Sequence, residues 1–217
     1  MRATVTAFLL LLLAGCSTDQ VAVAVRPPPD PRTLMPALEQ RIAVLVADER
    51  LRLDPKASPL MIDPELCDIA RKRATDMATR NYFAHAAPNG DTSASLLMAE
   101  DAHFQGLLGE NMAAEHYTPA LGVDVESFAR NFVQTWLNSA PHKENLSFAD
   151  YNRTGVGAAV NGDTVYVTQL FSTDLGMGPH RDDAPPAVVT PVPSARQGES
   201  SVPKPPAPLR GSQGVHG

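Results

Sequence analysis

The sequence predicts an α+β domain in which helices pack on an antiparallel sheet. Four predicted helices come first, three of them with apolar residues at helical spacing, and two β-branched or alternating runs, at 155–160 and 164–171, follow them. The runs are joined by the segment 161–163 (Asn-Gly-Asp), and Asn-Gly between such runs is a strong signal for a β-hairpin. Helices that precede antiparallel strands are typical of the α+β class, so we expect the helices to pack on this sheet.

The helices are predicted from their apolar spacing and from the residues at their ends. Pro36 falls in the first turn of the first helix, where proline is tolerated. The second helix begins at 63–65 (Asp-Pro-Glu), which combines a capping side chain, a proline and an acid near the positive end of the helix dipole. Its stripe of inward positions includes Arg73. Thr92 or Ser93 caps a short third helix. Helices are therefore expected at about 33–50, 63–81, 92–102 and 123–138.

Composition divides the chain into a signal segment (1–15), a tether (16–32), one folded domain (33–175) and a tail (176–217). The signal segment has a basic start, a short apolar run and small residues, which is typical of a secretory signal rather than a membrane span. The domain is long enough to bury a sizeable core. The proline-rich tail is predicted to be disordered, because it has too few large apolar side chains to offset the entropy lost on ordering.

The segment 13–16 (Leu-Ala-Gly-Cys) resembles a bacterial lipobox. The resemblance implies cleavage before Cys16, a diacylated, palmitate-bearing Cys16 at the mature N-terminus, and membrane attachment through this lipid. Ser17 after the cysteine favours the periplasmic face of the outer membrane if the host is Gram-negative. The alternative is an ordinary secretory signal with an incidental cysteine. We therefore expect a lipid-anchored protein of the cell envelope.

The charge and the cysteine content indicate which binding partners and which disulfide bonds can be expected. The net charge is −6, and the sequence has no basic stripe of the kind that binds nucleic acid. The two cysteines are Cys16 and Cys67, and lipidation of the first would leave no pair for a disulfide. Cys67 is therefore interpreted as a small buried hydrophobe. The proline-rich stretch 202–208 is either a spacer or a ligand for the groove of a partner protein.

Three separated motifs carry the candidate site residues: 82–85 (Tyr-Phe-Ala-His), 109–111 (Gly-Glu-Asn) and 136–142 (Trp-Leu-Asn-Ser-Ala-Pro-His). Each places an imidazole or a carboxylate at the edge of an apolar segment. Two imidazoles and one carboxylate are a competent set for zinc, with water in the fourth position. The spacing alone does not bring the three motifs together, because they lie on distant segments.

In order, these motifs and the segments 151–157 and 166–171 resemble the CAP superfamily, which comprises cysteine-rich secretory proteins, antigen 5 and pathogenesis-related 1 proteins. The bacterial branch with SCP-like domains is the most similar. The resemblance covers nearly the whole predicted domain, and the ordered set of motifs is specific although each motif alone is weak. It implies an α-β-α sandwich with a central cleft that holds two histidines and two glutamates in many members.

The resemblance assigns roles to four residues of this sequence. His85 and His142 match the two histidines, through which some members bind a divalent metal such as zinc. Glu110 matches the first glutamate. Ser139 stands where the second glutamate usually lies, so the set is incomplete and acid–base catalysis by two carboxylates is not supported.

Each candidate residue also has a structural interpretation. Glu110 is interpreted as accepting hydrogen bonds from backbone amides at the start of a short helix, and Asn111 as tying loop backbone groups together. His142 is interpreted as a hydrogen-bonding partner of the neighbouring loop. His103 and His116 are expected at the surface or in loops, with His116 near enough to the segment of Glu110 to be compared with it.

Three functional hypotheses follow. The first is an envelope lipoprotein whose cleft acts as a binding or scaffold module for a divalent metal, a lipid or another envelope ligand. The second is a metal-assisted, peptidase-like hydrolase in which Glu110 acts as general base. The third assigns the function to the proline-rich tail, with the domain as a rigid support.

Overall fold

The computed structural model describes residues 26–173. The predicted signal segment, Cys16, most of the tether and the tail 176–217 lie outside the described residues. Within 26–173, no helix is both long enough and apolar enough to span a membrane.

The described part of the chain contains five helices and four strands. A short 3-10 turn, Pro31–Leu34, leads into the first helix. The helices are α1 (Met35–Leu53), α2 (Pro64–Arg80), α3 (Ser93–Glu100), α4 (Val125–Leu137) and α5 (Ala140–Ser147), and the strands are β1 (Met61–Ile62), β2 (Leu108–His116), β3 (Arg153–Asn161) and β4 (Thr164–Ser172).

The predicted helix ends of α2 and α3 are confirmed by their caps. The Asp63 side chain accepts hydrogen bonds from the amides of Glu65 and Leu66, at 2.9 and 3.1 Å. α2 ends at Asn81, which adopts the left-handed conformation with φ 53°. Thr92 caps α3 and accepts a hydrogen bond from the Ser95 amide at 3.1 Å. These contacts satisfy amides and carbonyls that a helix end otherwise leaves without partners.

The four strands form one sheet in the order β1-β3-β4-β2. The predicted hairpin is confirmed, since β3 and β4 pair antiparallel and Asn161 lies opposite Thr164. Gly162 turns the chain with φ +59°, a conformation that favours glycine. β2 pairs antiparallel with the other side of β4. The two-residue β1 pairs parallel with β3, so the sheet is mixed at this edge.

Helices cover both faces of the sheet, which confirms the expected α-β-α sandwich. α1 and α4 pack against Val165, Val167 and Phe171 of β4, whereas α2 and α3 pack against Leu170 on the opposite face. This alternation follows from the two-residue period of a strand. The buried Trp136 of α4 belongs to the larger core and is fully enclosed.

α2 lies unusually close to β3. A Cβ atom added to Gly157 would sit 2.1 Å from the backbone nitrogen of Arg71, and one added to Gly155 would sit 2.3 Å from that of Cys67. Only glycine allows a helix backbone to approach a strand this closely. Cys67 itself is buried, as expected, and burial raises the pKa of its thiol, which keeps it unreactive.

One local prediction is wrong, and one helix was not predicted. The segment that follows Gly109 is part of strand β2 and not a loop that leads into a short helix, because its backbone pairs with β4 along nine residues. The helix α5 was not predicted, because Leu146 is its one buried residue and the apolar spacing is therefore too weak to signal it.

Candidate functional site

Glu110 lies on β2, at the edge of the sheet. It is paired with Leu170 of β4, and Leu170 packs against α2. Because directly paired residues point to the same face of a sheet, the Glu110 side chain faces the layer of α2. Asn111, the next residue, faces the opposite layer. The edge strand therefore presents one polar side chain to each helical layer.

His85 reaches Glu110 from the layer of α2. It lies in the loop that follows α2, and its Nδ1 is 3.7 Å from Oε1 of Glu110. The imidazole is 63% exposed, whereas the Glu110 side chain is only 13% exposed. The carboxylate is thus a nearly buried group with an exposed imidazole as its neighbour.

His142 approaches from the opposite layer. It is the third residue of α5 and is half-buried. Its Nδ1 atom is buried and has no hydrogen-bond partner within residues 26–173, and the same is true of Oε1 of Glu110. Glu110 and His142 thus each carry one enclosed polar atom for which the described residues supply no hydrogen bond.

The two imidazoles differ in their electrostatic environment. The Glu110 carboxylate raises the pKa of His85 above its ordinary value of 6.5. Burial lowers the pKa of His142, and positive charge on the nearby His85 lowers it further. At neutral pH His142 is consequently a neutral imidazole with a lone pair, while His85 retains a proton more readily because of its neighbouring carboxylate.

An NMR titration of the imidazole signals of the metal-free protein is expected to give a midpoint above 6.5 for His85 and below 6.5 for His142. Glu110→Gln should lower the His85 midpoint, because the carboxylate is the largest cause of its shift. Glu115→Gln is the matched control on the same strand and should leave the midpoint unchanged. A His85 midpoint that is insensitive to Glu110→Gln would contradict this description of the cleft.

A network of buried amides holds α5 against β2. The Asn111 Nδ2 donates to the carbonyl of His142 at 3.1 Å, and its Oδ1 accepts from Nδ2 of Asn145 at 2.8 Å. Asn145 also donates to the carbonyl of Glu110 at 3.1 Å. Asn111 therefore has a structural role, as expected, but it ties strand β2 to helix α5 and does not join loop backbone groups. Asn145 was not recognised from the sequence as part of this site, although it lies one turn after His142.

Trp136 supports the same edge of the sheet. Its Nε1 donates to the carbonyl of Met112 on β2 at 3.1 Å, inside the core. Both carbonyls that β2 presents to α4 and α5, those of Glu110 and Met112, thus have side-chain donors. These contacts protect an edge strand from pairing with other chains and fix its position under the histidines.

The other polar residues considered from the sequence occupy different places. Ser139 is the residue before α5, three positions from His142, so the two lie on one side of the first helical turn. It does not supply a second carboxylate. His116 lies at the far end of β2, where its Nδ1 is 3.2 Å from Asp163 Oδ1, and His103 is exposed.

The described residues do not form a ready-made metal centre. Within residues 26–173, no three or more His, Cys, Asp or Glu side chains are arranged as a metal-binding group. Of the residues predicted as metal ligands, His85 lies 3.7 Å from Oε1 of Glu110, and His142 is near enough to His85 for the charge of His85 to lower the His142 pKa.

The three-layer fold is that of a CAP-type domain. The sequence profile described as "CAP: Cysteine-rich secretory protein family" matches residues 49–171. The chain belongs to this family.

Individual relatives agree with the assignment. The uncharacterized protein YkwD of Bacillus subtilis (strain 168) is 29% identical over 126 residues, which are 58% of this chain and 44% of that protein. An extracellular protein containing a SCP domain from Bacillus anthracis str. Ames is 31% identical, with a TM-score of 0.54 over 69% of this chain and 45% of that one. The chain thus spans less than half the length of these two relatives.

The fold also recurs in a more distant protein. An outer surface protein from Borrelia burgdorferi is 22% identical, with a TM-score of 0.52, and the match covers 63% of this chain and 92% of that one. At this identity the likeness shows the fold alone.

Proposed function

We propose that this protein is a binding module of the cell envelope whose cleft takes a divalent cation, zinc first, or a polar group of an envelope ligand. The observation that carries the proposal is that two buried atoms, Glu110 Oε1 and His142 Nδ1, have no hydrogen-bond partner among residues 26–173, while His85 Nδ1 lies 3.7 Å from the first of them. Leaving a buried polar group without a partner costs about 1–3 kcal/mol. A bound ion, water or ligand group that contacts these atoms would remove that cost.

The chemistry of the donors fits a cation. Metal ligands must be deprotonated, and His142 is favoured in its neutral form. His85 competes for a proton with any metal, because Glu110 raises its pKa. His85 and His142 would hold the ion, and Glu110 would lie beside it as a negative charge or as the acceptor of a hydrogen bond from coordinated water. A bound divalent ion would supply positive charge that attracts an anionic ligand group.

Phe83 is an exposed aromatic residue in the loop that carries His85. Its ring is 52% exposed, two residues before His85. A polar anchor beside an exposed aromatic ring suits an amphipathic ligand, such as a lipid or another envelope component. Replacement of Phe83 by Ser should weaken binding of anionic lipid vesicles without lowering the melting temperature; unchanged binding would remove the ring from the proposed site.

Zinc titration of the full mature chain tests the proposed cation site. We expect the wild type to bind one equivalent of zinc. The His85→Ala/His142→Ala double variant should bind no zinc with comparable affinity. His116→Ala is the matched control, because it removes an exposed histidine that is paired with Asp163 elsewhere on the surface. Equal zinc binding by the wild type and the double variant would eliminate the two-histidine site.

The envelope location rests on the lipobox-like segment that ends at Cys16 and on the extracellular relative from Bacillus anthracis. We propose that lipid on Cys16 anchors the domain, on the periplasmic face of the outer membrane in a Gram-negative host. Cys16→Ser should move the protein from the membrane fraction to the soluble fraction. Retention in the membrane fraction would exclude lipid on this residue as the anchor.

A metal-assisted hydrolase is the alternative, and the unpartnered Oε1 of Glu110 favours it. In this function Glu110 accepts a proton from the attacking water, as a general base. Glu110→Gln should then abolish turnover of a peptide substrate while the zinc content and the fold are retained. Turnover that survives this substitution would exclude Glu110 as the base.

A further inference from the structure

Arg73 is a buried cation beneath the loop that carries His85. It lies on the inward stripe of α2 and is 1% exposed. Its Nη2 donates to the carbonyls of Ala84 and His85, each at 2.9 Å. Its Nη1 donates to the hydroxyl of Tyr82 at 3.0 Å. A single guanidinium group therefore connects three residues of the motif 82–85 to α2.

The two carbonyls that Arg73 binds belong to the peptide groups on either side of His85. The carbonyl of Ala84 belongs to the peptide group before the His85 Cα atom, and the carbonyl of His85 belongs to the peptide group after it. Fixing both peptide groups restricts the two backbone rotations of His85. The direction in which the imidazole leaves the backbone is then set from beneath the loop.

The imidazole of His85 has little else to hold it. It is 63% exposed, and its charged neighbour, Glu110, is 3.7 Å away. The Tyr82 hydroxyl extends the support, since it donates to Oδ2 of Asp76 on α2 at 2.5 Å. The loop is thus anchored to one helix through its backbone and one tyrosine, while its functional side chain remains free to meet a ligand.

We propose that Arg73 is the positioning residue of the cleft, which orients His85 toward Glu110 by holding the peptide groups on both sides of it. The proposal deepens the proposed binding function and, in its consequence for ligand affinity, rests on it. The planar guanidinium is needed because it presents donors in a fixed fork, whereas the ammonium of lysine is a compact charge that cannot span the same acceptors.

The test compares Arg73→Met and Arg73→Lys with Ile69→Ala in the full mature chain. Ile69 is fully buried one turn earlier on α2, in the cluster with Leu66 and Leu170. Ile69→Ala should therefore destabilise the domain, as the Arg73 variants do, without removing a hydrogen bond to the loop that carries His85. The first readout is the backbone amide order parameter at His85. The second is zinc affinity.

In both Arg73 variants, the order parameter at His85 should fall from about 0.85, typical of rigid backbone, to below about 0.6. Ile69→Ala should leave it near the wild-type value. Zinc affinity should fall by about 10–100-fold in the Arg73 variants, as is usual when a residue that orients a metal ligand is lost. An equal loss of order in the Ile69 variant, or an unchanged His85 amide in Arg73→Lys, would show that Arg73 is merely structural.

The readouts separate this inference from the proposed function. If wild-type protein binds no zinc, the proposed cation site fails, and the order parameters still decide whether Arg73 positions His85. If Arg73→Met does not fold, Arg73→Lys carries the decision, because it retains the buried positive charge. Selective loosening of the loop in folded Arg73→Lys supports the positioning role, and a loop as rigid as the wild type's overturns it.

Discussion

Gly157→Ala is expected to destabilise the domain by about 3 kcal/mol, at the upper end of the range for overpacking. The new Cβ atom would lie 2.1 Å from the backbone nitrogen of Arg71 and 2.2 Å from the carbonyl carbon of Ala70. Both contacts are with helix backbone, so no flexible side chain can move aside. α2 would have to shift away from β3, and the loop that carries His85 would shift with it.

Urea unfolding of Gly157→Ala, monitored by circular dichroism, gives the change in the free energy of unfolding. Gly162→Asn is the control, because nothing lies within 4 Å of the corresponding Cβ position in the hairpin turn and asparagine tolerates positive φ. It should cost only about 1 kcal/mol, the low end of the range for a non-glycine residue in the left-handed conformation. A Gly157→Ala protein as stable as this control would show that α2 does not lie as close to β3 as described.

Arg50→Met is expected to lower the free energy of unfolding by about 3–5 kcal/mol, because three carbonyls would lose their donor and each buried acceptor left unsatisfied costs about 1–3 kcal/mol. Arg50 is 2% exposed and donates to the carbonyls of Leu146, Phe148 and Tyr151 at 2.8–2.9 Å. The first two carbonyls lie at the end of α5, where helical carbonyls lack partners within the helix. Methionine would fill much of the volume but leave these acceptors buried without donors.

The matched control for this substitution is Arg52→Met. Arg52 is two residues away on α1, its side chain is 66% exposed, and its partner is Glu49. Because surface ion pairs contribute little, its replacement should change the free energy of unfolding by less than about 0.5 kcal/mol. Similar losses in the Arg50 and Arg52 variants, measured by urea unfolding, would refute the role of Arg50 as the anchor of α5.

The elements that the sequence predicted well are those with strong local signals. The Asp63 cap and the Pro64 that follows it start α2 because both satisfy the chemistry of a helix N-terminus. The hairpin at 161–163 formed as expected because Asn-Gly suits its turn. In these cases the local preference and the tertiary packing favour the same conformation.

The missed elements depend on contacts between distant segments. β2 contains no β-branched residue, and it is a strand because it pairs along its length with β4. α5 buries one apolar residue and is held by Asn111, Asn145 and Arg50. At such positions tertiary interactions override weak local propensity. The local sequence pattern therefore does not predict β2 or α5.

The residues of the candidate site also depend on contacts between distant segments. His85, Glu110 and His142 were identified by resemblance of ordered motifs, and their spacing alone could not bring together residues from opposite layers. Arg73 is visible in the sequence as a charged residue at an inward position of the apolar stripe of α2, but this position alone did not assign it a role at the site. Lys and Arg are rarely fully buried without partners, so such a position points to a cation that is paired with buried acceptors.

The central claim is that His85 and His142, from opposite layers of the sandwich, form one site over Glu110. A crystal structure of the mature chain grown with zinc, with anomalous data at the zinc edge, tests it most directly. We expect one strong anomalous peak at about 2.0–2.1 Å from an imidazole nitrogen of both histidines, with the Glu110 carboxylate beside it. Absence of a peak between the two imidazoles, or a peak at His116 instead, would contradict the claim.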